Sequence, residues 1–168
     1  MDILTITVEA VVLLIFFTAA VLIGSRNPVD GVYDMPQPII DRCIELGLVD
    51  ETKKASSKET KLKKLGAALI LVIILSLFLY FVNKARTFRE GFLVSYILWL
   101  IIDWYDCFVL DWGWVCHSKK IIIPGTEDLM DSYHDYKFHF IGSCKGMLIG
   151  LPVCLVVGAL MALVSLIF

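Results

Sequence analysis

Several signatures are missing from this chain, and each absence excludes a class of function. There is no GxGxxG or GxxxxGK[ST] loop to cradle phosphates, and no HExxH or CxxC to hold a metal. No GxSxG elbow surrounds Ser118, Ser132 or Ser143. The five cysteines, Cys43, Cys107, Cys116, Cys144 and Cys154, are odd in number and scattered, which argues against a disulfide framework and for small reduced packing residues. Charge is scarce, at 19% against about a quarter in soluble domains. The basic residues form no broad face, so nucleic acid is not an expected partner. No cofactor can be assigned.

What the chain does have is apolar length. Of its 168 residues 58% are apolar, and the mean hydropathy is +0.80. Four long apolar segments carry most of this, at about 3–24, 65–83, 91–115 and 141–168. A bilayer core of about 30 Å needs roughly 20 apolar residues of helix. The expected fold is therefore all-α: one polytopic domain over 1–168, with four transmembrane helices embedded in lipid. The first segment begins Met-Asp, without Lys or Arg, and no cleavage site follows Ala19-Ala20, so it reads as a retained span rather than a signal peptide. Glu9, within two turns of its start, is expected near the membrane interface.

Two long polar connections, 25–64 and 116–140, separate the spans. In the first, IIDRCIELGL (39–48) places Ile40, Ile44 and Leu48 at i, i+4 spacing, predicting a short amphipathic helix on the membrane face or the bundle. The Lys-rich run 51–64 reads as a solvated linker. In the second, Pro124-Gly125 predicts a turn, and Thr126 followed by Glu127 and Asp128 reads as an N-cap with acids in a first helical turn. Tyr133, Tyr136, Phe138 and Phe140 read as an interfacial anchor. The short link 83–90 makes the second and third spans antiparallel neighbours.

The basic residues predict an orientation. Eight of the 15 Lys and Arg fall in 25–64, four in 116–145 and three in 83–90. The positive-inside rule then puts both long connections in the cytoplasm and both termini of this cell-membrane protein outside.

The third segment holds the chemistry. Its purely apolar part, Phe92 to Ile102, is 11 residues, roughly 17 Å of helix. Spanning therefore draws an aspartate into the membrane, where an ionisable group marks a candidate functional site. Asp103 and Asp106 lie three apart on one face; Asp111 is about 80° round from Asp103 on a regular helix. Lys145 is the one basic residue within the spans and the candidate counter-charge, within easier reach of Asp111 or Asp106 than of Asp103. Gly142, Gly146, Gly150, Cys154, Gly158 and Ala162 recur every four residues, a small-residue ridge suited to close helix packing in lipid. Pro152 is expected to kink that helix. His117, His134 and His139 sit among acids and two cysteines, but at poor spacing for a metal site.

Two functional classes follow. One is a transport or channel-type protein, or an accessory subunit, whose acidic helix handles a proton or cation or meets a partner chain, including a second copy. The other is a membrane enzyme at the cytoplasmic interface, with or without a metal, in which Asp106, Asp111, His117, Glu127, His134 and His139 would supply ligands or acid/base groups.

Overall fold

The computed structural model describes residues 3–50 and 58–167. Among these every regular element is helical and no strand occurs. In chain order the α-helices are α1 (Ile3–Gly24), α2 (Gln37–Glu45), α3 (Lys58–Phe81), α4 (Phe88–Tyr105), the single-turn α5 (Met130–Tyr133) and α6 (Tyr136–Ile167). Three stretches are long and apolar enough to cross a membrane: Ile3–Gly24, Phe88–His117 and Met130–Ile167. Within α3 the stretch Val72–Phe81 is a shorter apolar helix. Part of the Lys-rich run, 51–57, lies outside the described residues.

The helix ends follow from local chemistry. After α3, Lys84 adopts a left-handed conformation (φ 55°) and the Ala85 N–H folds back to the Leu79 carbonyl at 3.1 Å. The Arg86 guanidinium then donates to the exposed Tyr80 carbonyl at 2.6 Å and lies over the Tyr80 ring. Three residues on, Thr87 opens α4 with a capping box: its hydroxyl accepts from the Glu90 N–H, and the Glu90 carboxylate accepts from the Thr87 N–H. A short link can thus reverse the chain with few backbone groups left unpaired.

The core of the bundle lies between α4 and α6, with α3 and α1 against it. Val94 and Leu98 of α4, Val157 and Met161 of α6, Val72 and Leu79 of α3 and Ala10 of α1 form its buried cluster. The small residues of α6 set the spacing. Gly158 sits against Phe88 and Phe92, Gly150 against the Trp99 indole, and Gly146 against the Asp103 carboxylate. The Trp99 indole N–H donates to the Gly146 carbonyl at 3.1 Å, tying the two helices together. Helix α6 continues through Pro152. Away from this core, Ile3, Leu4, Ile15 and Phe16 of α1 and Leu148 and Ile149 of α6 are exposed, as expected of side chains that face lipid.

The two polar connections do not stay apart. Val32, Ile39 and Cys43 from the first and Ile121, Ile123 and Tyr133 from the second form one buried cluster, a cap with its own small core. Arg42 of α2 holds Asp128 of the second connection through two contacts of 3.1 Å. The buried stripe of α2 is Ile39, Ile40 and Cys43 rather than Ile40, Ile44 and Leu48, because the helix stops at Glu45. Gly47 (φ 69°) ends it in a Schellman motif: its N–H bonds to the Ile44 carbonyl and the Leu48 N–H to that of Cys43, both at 2.9 Å.

Thr126 is not a helix cap. It is fully buried; its hydroxyl donates to the Ile123 carbonyl and pairs with the Tyr133 hydroxyl, both at 2.7 Å, and the chain turns there without starting a helix. Tyr133 likewise is core of the cap rather than an interfacial anchor, its hydroxyl also accepting from the Ile123 N–H.

Candidate functional site: an acidic cavity beneath the cap

Helix α4 changes character where its acids begin. From Asp106 to Asp111 the backbone is a π-helix, followed by a 3-10 turn at Val115–His117. The Trp112 N–H reaches back five residues to the Cys107 carbonyl at 2.9 Å. Such wide turns are rare and concentrate at functional sites. Each π-type residue advances less around the axis than an α-type residue. The five steps from Asp106 to Asp111 therefore bring Asp111 back toward the Asp103 face, instead of the 80° offset of a regular helix. All three aspartates border one cavity.

That cavity has a volume of about 870 Å³ and lies between the cap and the helices. Phe17 and Val21 of α1 form one wall, Gly142 and Ser143 of α6 another. A 3-10 turn, Pro28–Asp34, entered through Asn27-Pro28, adds Asp30 and Asp34 at the exposed rim. Five carboxylates thus line one space, with His139 as the one basic side chain among the described residues of its wall.

The acids differ in their surroundings. Asp111 accepts from His139, Oδ2 to Nδ1, at 3.0 Å, with the two side chains 21% and 12% exposed. Asp103 packs its Oδ1 against Gly146, and its Oδ2 is buried with no hydrogen-bond partner. Asp106 faces the same cavity between them. Lys145 is not the counter-charge: it is exposed and makes no ion pair with any of the three acids. A helix places residues one apart about 100° round, which turns Lys145 away while Gly146 and Gly142 face α4 and the cavity. His139 lies three residues before Gly142 and so shares its face. Extending the glycine ridge one turn toward the N-terminus was the signal that could have found it.

The three histidines do not converge. His117 bonds through Nδ1 to the Trp112 carbonyl at 2.9 Å and through Nε2 to the Tyr136 hydroxyl at 3.3 Å, with the His134 ring 6.2 Å away. His139 is in the cavity instead. Among the described residues no three His, Cys, Asp or Glu side chains gather closely enough to hold a metal ion. Glu127 is engaged with the Gly125 N–H at 2.9 Å. The residue set expected of an interfacial enzyme is therefore split between the cavity and the cap.

The sequence matches no protein-family model, and no curated protein or solved structure matches it.

Proposed function

We propose that this chain is a four-span membrane protein of the transport or channel type, and that its acidic cavity receives hydrated cations, for which protons compete. The observation that carries the reading is the charge of the cavity wall: five carboxylates against one histidine, reached from inside helices apolar enough to lie in a membrane. Like charges around one space repel each other, and a bound cation relieves that repulsion. At about 10 Å and an effective dielectric near 20, each carboxylate attracts a monovalent cation by roughly 1.7 kcal/mol. Without three converging ligands the ion keeps much of its water, which suits a cavity of about 870 Å³.

The fourth span of this proposal is α3. Its 24 residues make roughly 36 Å of helix, its apolar segment carries no charge, and Val72 and Leu79 join the bundle core. The twelve basic residues of 25–64 and 116–145, against three in 83–90, support a cytoplasmic side for the cap and the cavity mouth, with both termini outside. Lipid is the partner of the exposed apolar faces; contact with a second chain is the competing use of the acids.

Reconstitution tests the reading. Purified protein in liposomes is expected to pass cations or protons faster than empty liposomes, and Asp103→Asn to change that flux while the protein stays folded and membrane-inserted. Unchanged flux together with unchanged oligomer size in Asp103→Asn would remove the proposal.

A further inference from the structure

At the other end of the bundle lies a buried acid that the cavity does not use. Glu9 is the one charged side chain of α1, and with Ala10 it is one of the two buried residues of that helix. It is 5% exposed, whereas its neighbours Val8, Val11 and Val12 are exposed. Its carboxylate meets Asn83, just past the end of α3. Asn83 is half-buried and lies about one turn beyond the buried α3 residues Val72, Ser76 and Leu79. About 12 Å of helix, eight residues, separates Glu9 from Phe17 at the cavity wall.

The pairing is half made. The Asn83 amide donates from Nδ2 to Glu9 Oε2 at 2.9 Å. Glu9 Oε1 and Asn83 Oδ1 are both buried and both without a partner. An amide that presents its nitrogen to the acid fixes which oxygens remain, and both are acceptors. What is missing is therefore a hydrogen-bond donor or a cation, not another carbonyl.

Among the described residues no side chain supplies it. Lys84, Arg86 and Arg89 of the link are exposed, Arg86 being held by the Tyr80 and Ala85 carbonyls. Glu90 is closed in its own capping box. On the elements packed around this end, α3 from Gly66, α4 from Gly91 to Ile102 and α6 from Gly146 carry no charged residue, and their titratable groups are Tyr80, Tyr96 and Cys154.

We propose that Glu9 and Asn83 form a second cation site, distinct from the acidic cavity, which takes a monovalent cation stripped of its water: a proton or a sodium ion. A proton on Oε1 would donate to Asn83 Oδ1 and close a two-bond acid–amide pair. A sodium ion would be coordinated by the same two oxygens. Either satisfies both oxygens with one positive charge and makes Glu9 neutral in effect at a buried position. The site stands independently of the cavity reading.

The test uses the full chain in lipid nanodiscs at neutral pH, comparing infrared spectra of wild type and Glu9→Gln in choline chloride and in sodium chloride. A protonated-carboxyl band present in wild type in both salts and lost in Glu9→Gln identifies the proton. A Glu9 carboxylate band that shifts with sodium, with a sodium-dependent rise in thermal stability absent from Glu9→Gln, identifies sodium. Asn83→Ala, which keeps the acid, is the second variant. It should move the proton band without abolishing it, or raise the sodium midpoint by about tenfold. A Glu9 carboxylate that is ionised and indifferent to sodium in both band and stability overturns the proposal.

Discussion

The Asp103 carboxylate fills the space in which residue 146 would carry a side chain: a Cβ on Gly146 would collide with Asp103 Oδ1. The small-residue ridge of α6 thus does two jobs. Toward Gly158 it lets helices touch, and at Gly146 it makes room for an acid. A series of Gly→Ala substitutions should separate them. Gly158→Ala would press on the Phe88 carbonyl at 2.9 Å and the Phe92 Cβ at 3.0 Å, and backbone cannot swing aside. A loss of about 1–3 kcal/mol is expected. Gly142→Ala meets nothing within 4 Å and should change stability by less than about 0.5 kcal/mol. Gly146→Ala should retain the fold yet displace Asp103, and so weaken cation binding. Reversible unfolding in detergent, with binding measured alongside, reads all three.

The Asp111–His139 contact predicts coupling across the cavity. Asp111→Asn and His139→Gln, alone and together, form a double-mutant cycle, and its interaction energy should fall within about 0.5–3 kcal/mol. Replacing His139 also removes the one base on the described wall, so His139→Gln should tighten cation binding while Asp111→Asn weakens it. Equal changes in the same direction would contradict this arrangement of charge.

The cap predicts a contrast between apolar and ionic contributions. Ile39 is fully buried between the two connections, and Ile39→Ala should cost about 2–5 kcal/mol. The Arg42–Asp128 bridge is exposed, at 34% and 60%, so Asp128→Ala should cost no more than about 1 kcal/mol. Amide hydrogen exchange over 29–49 and 121–133 would detect the first loss and barely register the second.

Cys43 gives a pH signature for the same core. Burial pushes its thiol above the usual range. The sign follows from linkage: as pH rises past about 8.5 the thiol of the unfolded chain ionises while that of the folded chain keeps its proton. The unfolded state therefore gains, and the stability held below that pH declines until the folded thiol ionises in turn. Cap stability should fall with pH in this alkaline window, and the slope should flatten in Cys43→Ala. Maleimide should label partly exposed Cys144 well before Cys43.

Length and apolar content made the helices readable, and the 11-residue apolar stretch before Asp103 made the acids conspicuous. The cap was not legible, because its core is assembled from residues some 80–100 positions apart that look sparse within each polar connection. Val32 and Ile123 have no local periodicity to betray a shared interior. The common orientation of Asp103 and Asp111 was hidden by the π-turn, since regular helical geometry puts them 80° apart. His139 was hidden by grouping it with His117 and His134 by proximity in sequence, when helical phase puts it on the ridge with Gly142 and Gly146. Lys145 fell to the same geometry: one residue from Gly146, it faces away.

The acidic cavity is tested most directly by equilibrium binding of Mn²⁺ to the purified chain, followed by loss of the free-ion paramagnetic signal. The wild type should bind Mn²⁺ in competition with protons, and Asp106→Asn should weaken it by roughly a hundredfold, because one carboxylate's attraction across the cavity doubles to roughly 3.3 kcal/mol for a divalent ion. Binding that is absent from the wild type, or unchanged in both Asp103→Asn and Asp106→Asn, would contradict the claim that these acids hold a cation.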